Sequence, residues 1–128
     1  MITASIVELQ FEELLAVFPN STLTRFPDGS ALITMPEVKI VNGWSKGSVT
    51  YWFVAPAGFP HAKPDCFWVD ADVRLSSGRM PQSSGLSSPP SISHQQLWFS
   101  WHATTWDPNR DSLLTYARVC EHRMTKPQ

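Results

Sequence analysis

Residues 49–55, VTYWFVA, constrain this chain more than any other stretch. The segment is dense in β-branched and aromatic side chains, which fit a pleated, packed surface, and it reads as a central strand. Residues 55–64, APAGFPHAKP, follow at once with three prolines in ten positions. Proline has no N–H for a ladder, so the chain must cross the edge of the sheet here rather than extend it. Residues 66–69 then resume as a short buried strand.

The flanking pattern fills in an α+β arrangement. Val7, Phe11, Leu14, Leu15 and Phe18 recur at helical spacing, which predicts a helix over residues 5–18. Ser5 and Glu8 stand at capping-box spacing, and Pro19 marks the stop. Residues 22–26 are β-prone and end at the turn Pro27-Asp28-Gly29. Residues 31–41 carry strand character around Pro36, and Asn42-Gly43 signals a hairpin into the central strand. Residues 76–96 hold eight serines, three prolines and two glycines without periodicity, so a long loop is expected, of the kind that is often functional. Residues 97–102 are aromatic and extended. Asp107 and Pro108 are expected to open a last helix, with Leu113, Ala117, Cys120 and Met124 on its buried face. The order is helix, four-stranded antiparallel meander, long loop, helix, with the helices against one sheet.

At 128 residues, 42% hydrophobic and 12% aromatic, the chain suits one domain over residues 1–128 and is not globally disordered. A net charge of −1 with no basic run removes the electrostatic footprint of a nucleic-acid binder and of a polybasic membrane-surface module. Apolar runs stop at about five residues, where a membrane span takes about twenty. No charged n-region precedes an apolar stretch, since the first basic residue is Arg25, so a cytoplasmic location is the default expectation. Cys66 and Cys120 are too few for a disulfide framework and lack C-x-x-C spacing. His61, His94, His102 and His122 show no helical H-x-x-x-H pair and no accompanying cysteine pair, so no metal is expected.

Candidate chemistry concentrates in Leu97-Trp98-Phe99-Ser100-Trp101-His102. In an extended chain Leu97, Phe99 and Trp101 face one side, and Trp98, Ser100 and His102 the other. A hydroxyl and an imidazole then share one surface, directly after the long loop. Two readings stand side by side: a serine nucleophile with histidine moving its proton, or two polar side chains solvating a strand face. A direct hydrogen bond between residues two apart would need irregular backbone. Cys66 is the alternative nucleophile, but its apolar neighbours suit a packed, inert thiol. Trp98 and Trp101 are candidates to line a partner surface.

From Thr50 onward the sequence resembles the ubiquitin-conjugating enzyme superfamily. The resemblance rests on the crossover Phe59-Pro60-His61-Ala62-Lys63-Pro64, the turn Trp106-Asp107-Pro108 and the order of elements. Pro64-Asp65, Phe67-Trp68-Val69-Asp70, Arg74-Leu75, Gly78-Arg79-Met80-Pro81, Phe99-Ser100-x-His102 and Asp111-Ser112-Leu113 are similar to a prokaryotic branch of it. The resemblance implies a ubiquitin-conjugating-like fold, a ubiquitin-like protein and an adenylating activating enzyme as partners, and a JAB-type isopeptidase in the same pathway. It implies no cofactor on this chain, because activation takes place on the partner. Two departures stand out. The superfamily's His-Pro-Asn tripeptide is absent, and no cysteine lies in the segment just before the tryptophan turn, where Ser100 stands instead. The resemblance therefore implies an oxyester carrier using Ser100 and His102, with Trp98, Trp101 and Trp106 shaping the groove and residues 76–96 as a flap. The alternatives are a binding module without catalysis, or transfer through Cys66.

Overall fold

The computed structural model describes residues 5–128. The first four residues of the expected domain lie outside that range. Helix α1 spans Ile6–Val17, and Ser5 caps it by accepting the Glu8 backbone N–H at 3.2 Å. Six strands follow, β1 (Thr22–Arg25), β2 (Ala31–Lys39), β3 (Ser48–Ala55), β4 (Phe67–Val69), β5 (Ser84–Ser87) and β6 (Gln96–Phe99), and then helix α2 (Leu113–Met124). They form one sheet in the order β1-β2-β3-β4-β6-β5, with every neighbouring pair antiparallel.

Alternation along the strands separates the two faces. Ile33, Met35, Tyr51, Phe53, Phe67, Val69, Leu97 and Phe99 point to one side and are completely buried. Both helices cover that side, α1 with Val7 and Leu14, α2 with Leu113, Tyr116, Ala117, Cys120 and Met124. Phe67 and Phe99 stack at 4.9 Å between ring centroids, and Phe53 meets Tyr116 edge-on at 5.0 Å. Filled by aromatic rings of this size, the core supplies most of the apolar burial that offsets chain entropy.

Strands β1 to β4 are the expected meander, and the Phe26–Ser30 turn closes with Gly29 at φ +94°. Four expectations need correction. The stretch 76–96 is not loop throughout: Ser84-Gly85-Leu86-Ser87 pairs along β6, which makes six strands where four were expected. Such a Ser/Gly segment has little strand preference of its own, and the edge of β6 imposes the conformation. Asn42-Gly43 does not close a tight hairpin. Residues 40–47 loop out because Trp44 dives into the core, where its indole donates to the Met124 carbonyl at 2.9 Å. The last strand ends at Phe99 rather than His102. Finally, α2 starts at Leu113, not at Asp107-Pro108, because Ser112 and Thr115 form a reciprocal capping box. The Asp107 carboxylate is occupied in the preceding turn, accepting the Asn109 N–H at 2.9 Å.

Candidate functional site

Ser100 is the first residue beyond β6. Its N–H donates to the Ser83 carbonyl at 2.9 Å, so the β5–β6 pairing extends one residue past the strands. Its side chain is exposed, as is that of His102. The alternation expected from the sequence holds on the buried side: Leu97 and Phe99 have no exposure, and Trp101 packs on the core. No hydrogen bond joins the Ser100 hydroxyl to His102 among the described residues, as the i,i+2 spacing of an extended chain requires.

Residues 101–106 are held from beneath by three anchors, two from distant side chains and one from Trp106 itself. Tyr116 Oη donates to the Trp101 carbonyl at 2.6 Å, and Lys63 Nζ donates to the Ala103 carbonyl at 3.1 Å. The Trp106 indole donates to the Pro60 carbonyl at 2.7 Å and packs against Phe59 at 6.0 Å. Two of the three anchors involve the proline-rich crossover, which explains why so irregular a segment is needed there: it carries the shelf on which residues 101–106 rest. Trp106 thus ties the turn to the crossover.

A groove of ≈ 590 Å³ opens beside this segment, lined by Trp101, His102, Ala103 and Thr104 on one wall and Thr115, Arg118, Val119 and His122 of α2 on the other. Arg118 is ion-paired with Glu121 at 2.7 Å. Trp98 does not line it. By register Trp98 lies beside Trp68, which lies beside Trp52, in a row across the outer face of the sheet.

Cys66 immediately precedes β4, one position beyond the Phe67–Phe99 pair, so the register carries it toward Ser100. It is half-buried, and burial pushes its thiol above the ordinary range; a hydrogen bond from Trp98 offsets part of this, and the Asp65 charge adds to it. Cys120 is fully buried in α2, and burial pushes its thiol higher still. Thiolate is the nucleophilic form, so neither environment activates sulfur.

The least expected member of the region is Arg123. It is 3% exposed and has no Asp or Glu partner among the described residues. Its guanidinium lies 4.9 Å from the Phe99 ring centroid, 5.5 Å from Trp101 and 5.9 Å from Trp44. It donates to the carbonyls of Lys126 (2.9 Å), Gln82 (3.0 Å) and Gln128 (2.8 Å). Five donors in a rigid fork allow one side chain to stitch segments together this way. The signal available in the sequence was a charge inside the apolar stripe of the last helix, next to Met124.

The profile of prokaryotic E2 family E matches residues 21–127. The chain belongs to that family. The match takes in the six strands, the crossover, Ser100, the tryptophan turn and α2, and begins after α1. No curated protein and no solved structure matches the chain. Membership makes this an E2-like protein of a prokaryotic ubiquitin-like pathway, whose general partners are a ubiquitin-like modifier and its activating enzyme. Among the described residues, no helix is long and apolar enough to cross a membrane.

Proposed function

We propose that this family E protein carries the C-terminal acyl group of its modifier as an oxyester on Ser100 and passes it to a target. In the charging step Ser100 Oγ attacks the activated carbonyl held by the activating enzyme. The Oγ–carbon bond forms, the bond to the enzyme's leaving group breaks, and the hydroxyl proton passes to His102, directly or through one water. An alcohol does not ionise unaided, and an imidazole nitrogen of His102 can take up the proton.

The observation that carries this reading is the placement of Ser100. It is an exposed serine hydroxyl at the end of β6, in the segment before the Trp106-Asp107-Pro108 turn, while burial disfavours both thiolates. The backbone N–H of Ser100 is committed to Ser83, so an oxyanion would have to be met by other donors. A second reading, a binding module without acyl transfer, is favoured by the missing Ser100–His102 hydrogen bond. A third routes the acyl group through Cys66.

Intact-mass analysis separates them. The protein is incubated with the pathway's activating enzyme, modifier and ATP, alongside Ser100→Ala and Cys66→Ala. The oxyester carrier predicts an adduct lost only in Ser100→Ala, resistant to thiols and cleaved by hydroxylamine. Loss only in Cys66→Ala, with cleavage by thiols, assigns the transfer to sulfur. With a charged activating enzyme and no adduct in any sample, the binding module stands.

A further inference from the structure

Ser83, whose carbonyl accepts the Ser100 N–H at 2.9 Å, has φ +59°. That is the left-handed region, which glycine enters freely and serine only at a cost. The next residue begins β5, so the strained position lies where the chain turns in beside Ser100. Such a conformation persists only where its surroundings over-determine it.

Gln82 and Arg123 supply those surroundings. Both backbone groups of Gln82 are taken: its N–H donates to the Gln128 carbonyl at 3.1 Å, and its carbonyl accepts from Arg123 Nη2 at 3.0 Å. The same Nη2 donates to the Gln128 carbonyl at 2.8 Å, so one nitrogen closes the arrangement. Ser84 adds a side-chain bond, its Oγ donating to the Pro81 carbonyl at 2.5 Å. On the other strand the guanidinium lies over Phe99 and Trp101, the residues before and after Ser100. Arg123 therefore grips both strands of the hairpin, each time one residue from the Ser83–Ser100 pair.

We propose that Arg123 is a positioning residue for acyl transfer at Ser100, acting through the left-handed backbone of Ser83. The inference rests on the reading of Ser100 as acyl carrier. Arg123 makes no hydrogen bond to the Ser100 hydroxyl among the described residues. Its grip on the Gln82 carbonyl fixes the peptide plane that leads into Ser83, and that plane aims the Ser83 carbonyl at the Ser100 N–H. Its flat face supports Phe99 and Trp101 at the same time, a combination that the planar fork of a guanidinium allows and an ammonium does not. The backbone of Ser100 is thus held at its N–H and on both flanks while the side chain stays exposed. Misplacing a reacting group by about 1 Å can cost about a hundredfold in rate, so such a hold bears directly on transfer.

The test compares Arg123→Met, Arg123→Lys, Ser83→Gly and the Arg123→Met/Ser83→Gly double variant in the full chain. Three quantities are read: native-state exchange of the Ser100 N–H by NMR, the urea midpoint, and the rate of adduct formation with activating enzyme, modifier and ATP. Arg123→Met keeps apolar volume and removes the donors. Exchange at Ser100 should quicken by about tenfold, the scale of one net backbone hydrogen bond, through a local opening that urea does not change. Adduct formation should slow by about tenfold to a hundredfold. Arg123→Lys should follow Arg123→Met, because a single ammonium lacks the fork. Ser83→Gly alone should leave Ser100 protected. In the Arg123→Met background it should restore most of the protection, since glycine adopts a positive φ without help, and that non-additivity is what a merely structural role would not produce. Where Arg123→Met does not fold, the comparison is made in Arg123→Lys; if neither folds, Arg123 is a core element and the proposal fails. Exchange at Ser100 that is unchanged, or that quickens only with the urea-dependent global opening, overturns it, as does a double variant without rescue. An adduct formed by Arg123→Met at the wild-type rate sinks the positioning role alone. No adduct on the wild type sinks the acyl-carrier reading alone, because the exchange comparison still reads the hold on Ser100.

Discussion

Tyr116→Phe is the sharpest probe of how the candidate site is held. The side chain is wholly buried, its ring packs edge-on against Phe53, and its hydroxyl donates to the Trp101 carbonyl at 2.6 Å. Burial pushes its ionisation far above the ordinary tyrosine range, so the O–H remains a donor at every practical assay pH. Phenylalanine keeps the ring and removes only the donor, which leaves the Trp101 carbonyl unpaired. That should cost about 1–2 kcal/mol of global stability, out of the 5–15 kcal/mol typical of a domain. With a urea slope near 1–3 kcal/mol per M, the midpoint should fall by about 0.3–2 M. The local consequence is more telling. Residues 100–104 lose one of two side-chain anchors, so the protection of the Ser100 N–H, bonded to Ser83, should drop by about tenfold in native-state exchange. Leu14→Ala, in the buried stripe of α1, is the control. It should lower global stability by about 2–5 kcal/mol and leave the local opening at Ser100 as it was. If Tyr116→Phe leaves Ser100 exchange unchanged while the midpoint falls, the hydroxyl is a core element only and the view of a pinned segment is wrong.

Gly43→Ala should destabilise by about 1–3 kcal/mol in urea titration, because φ is +114° and a Cβ would stand 2.5 Å from Pro127 Cγ; Gly47→Ala, with nothing within 4 Å, should be near neutral. Stability should fall in alkali. Burial raises Tyr51, Tyr116 and Cys120 above their ordinary values of 10.0, 10.0 and 9.0, so the unfolded chain releases these protons first. Their contribution is complete below about pH 9 and is lost as pH rises, at about 1.4 kcal/mol per pH unit for each group above its own unfolded value. Urea midpoints at pH 8, 9.5 and 11 should decline, less steeply in Tyr51→Phe, and a flat profile refutes the linkage. Iodoacetamide at pH 8 should modify Cys66 more slowly than a free cysteine and leave Cys120 untouched until the protein unfolds, by mass spectrometry.

What could be read from the sequence was whatever local patterning decides. The period of Val7, Phe11 and Leu14 gave α1, and the density of β-branched and aromatic residues over 49–55 gave the strand that stands as β3. The turn at Gly29 and the buried stripe of α2 belong with these. The misreadings fall where a distant partner overrules local preference. Ser84-Gly85-Leu86-Ser87 is a strand because β6 offers an unpaired edge. Asn42-Gly43 is outvoted by Trp44, whose burial against Met124 is worth more than a tight turn. Asp107-Pro108 has the composition of a helix start, yet its carboxylate closes a turn and Ser112, five residues after Asp107, provides the cap.

The candidate site divides the same way. Ser100 and His102 were visible because strand parity is local, but their supports, Tyr116, Lys63 and Arg123, come from other elements, and nothing in residues 97–102 points to them. Arg123 shows what such supports do. Its guanidinium stacks on Phe99 and Trp101, the residues on either side of Ser100, and its donors bind Gln82, the neighbour of the residue that accepts the Ser100 N–H. Removing a buried cation from water is costly, and the cost is offset here by three carbonyls and three aromatic faces. A neutral side chain of similar size could fill the volume but not bridge the hairpin to α2. The result is a backbone fixed on its inner edge and free on its outer one.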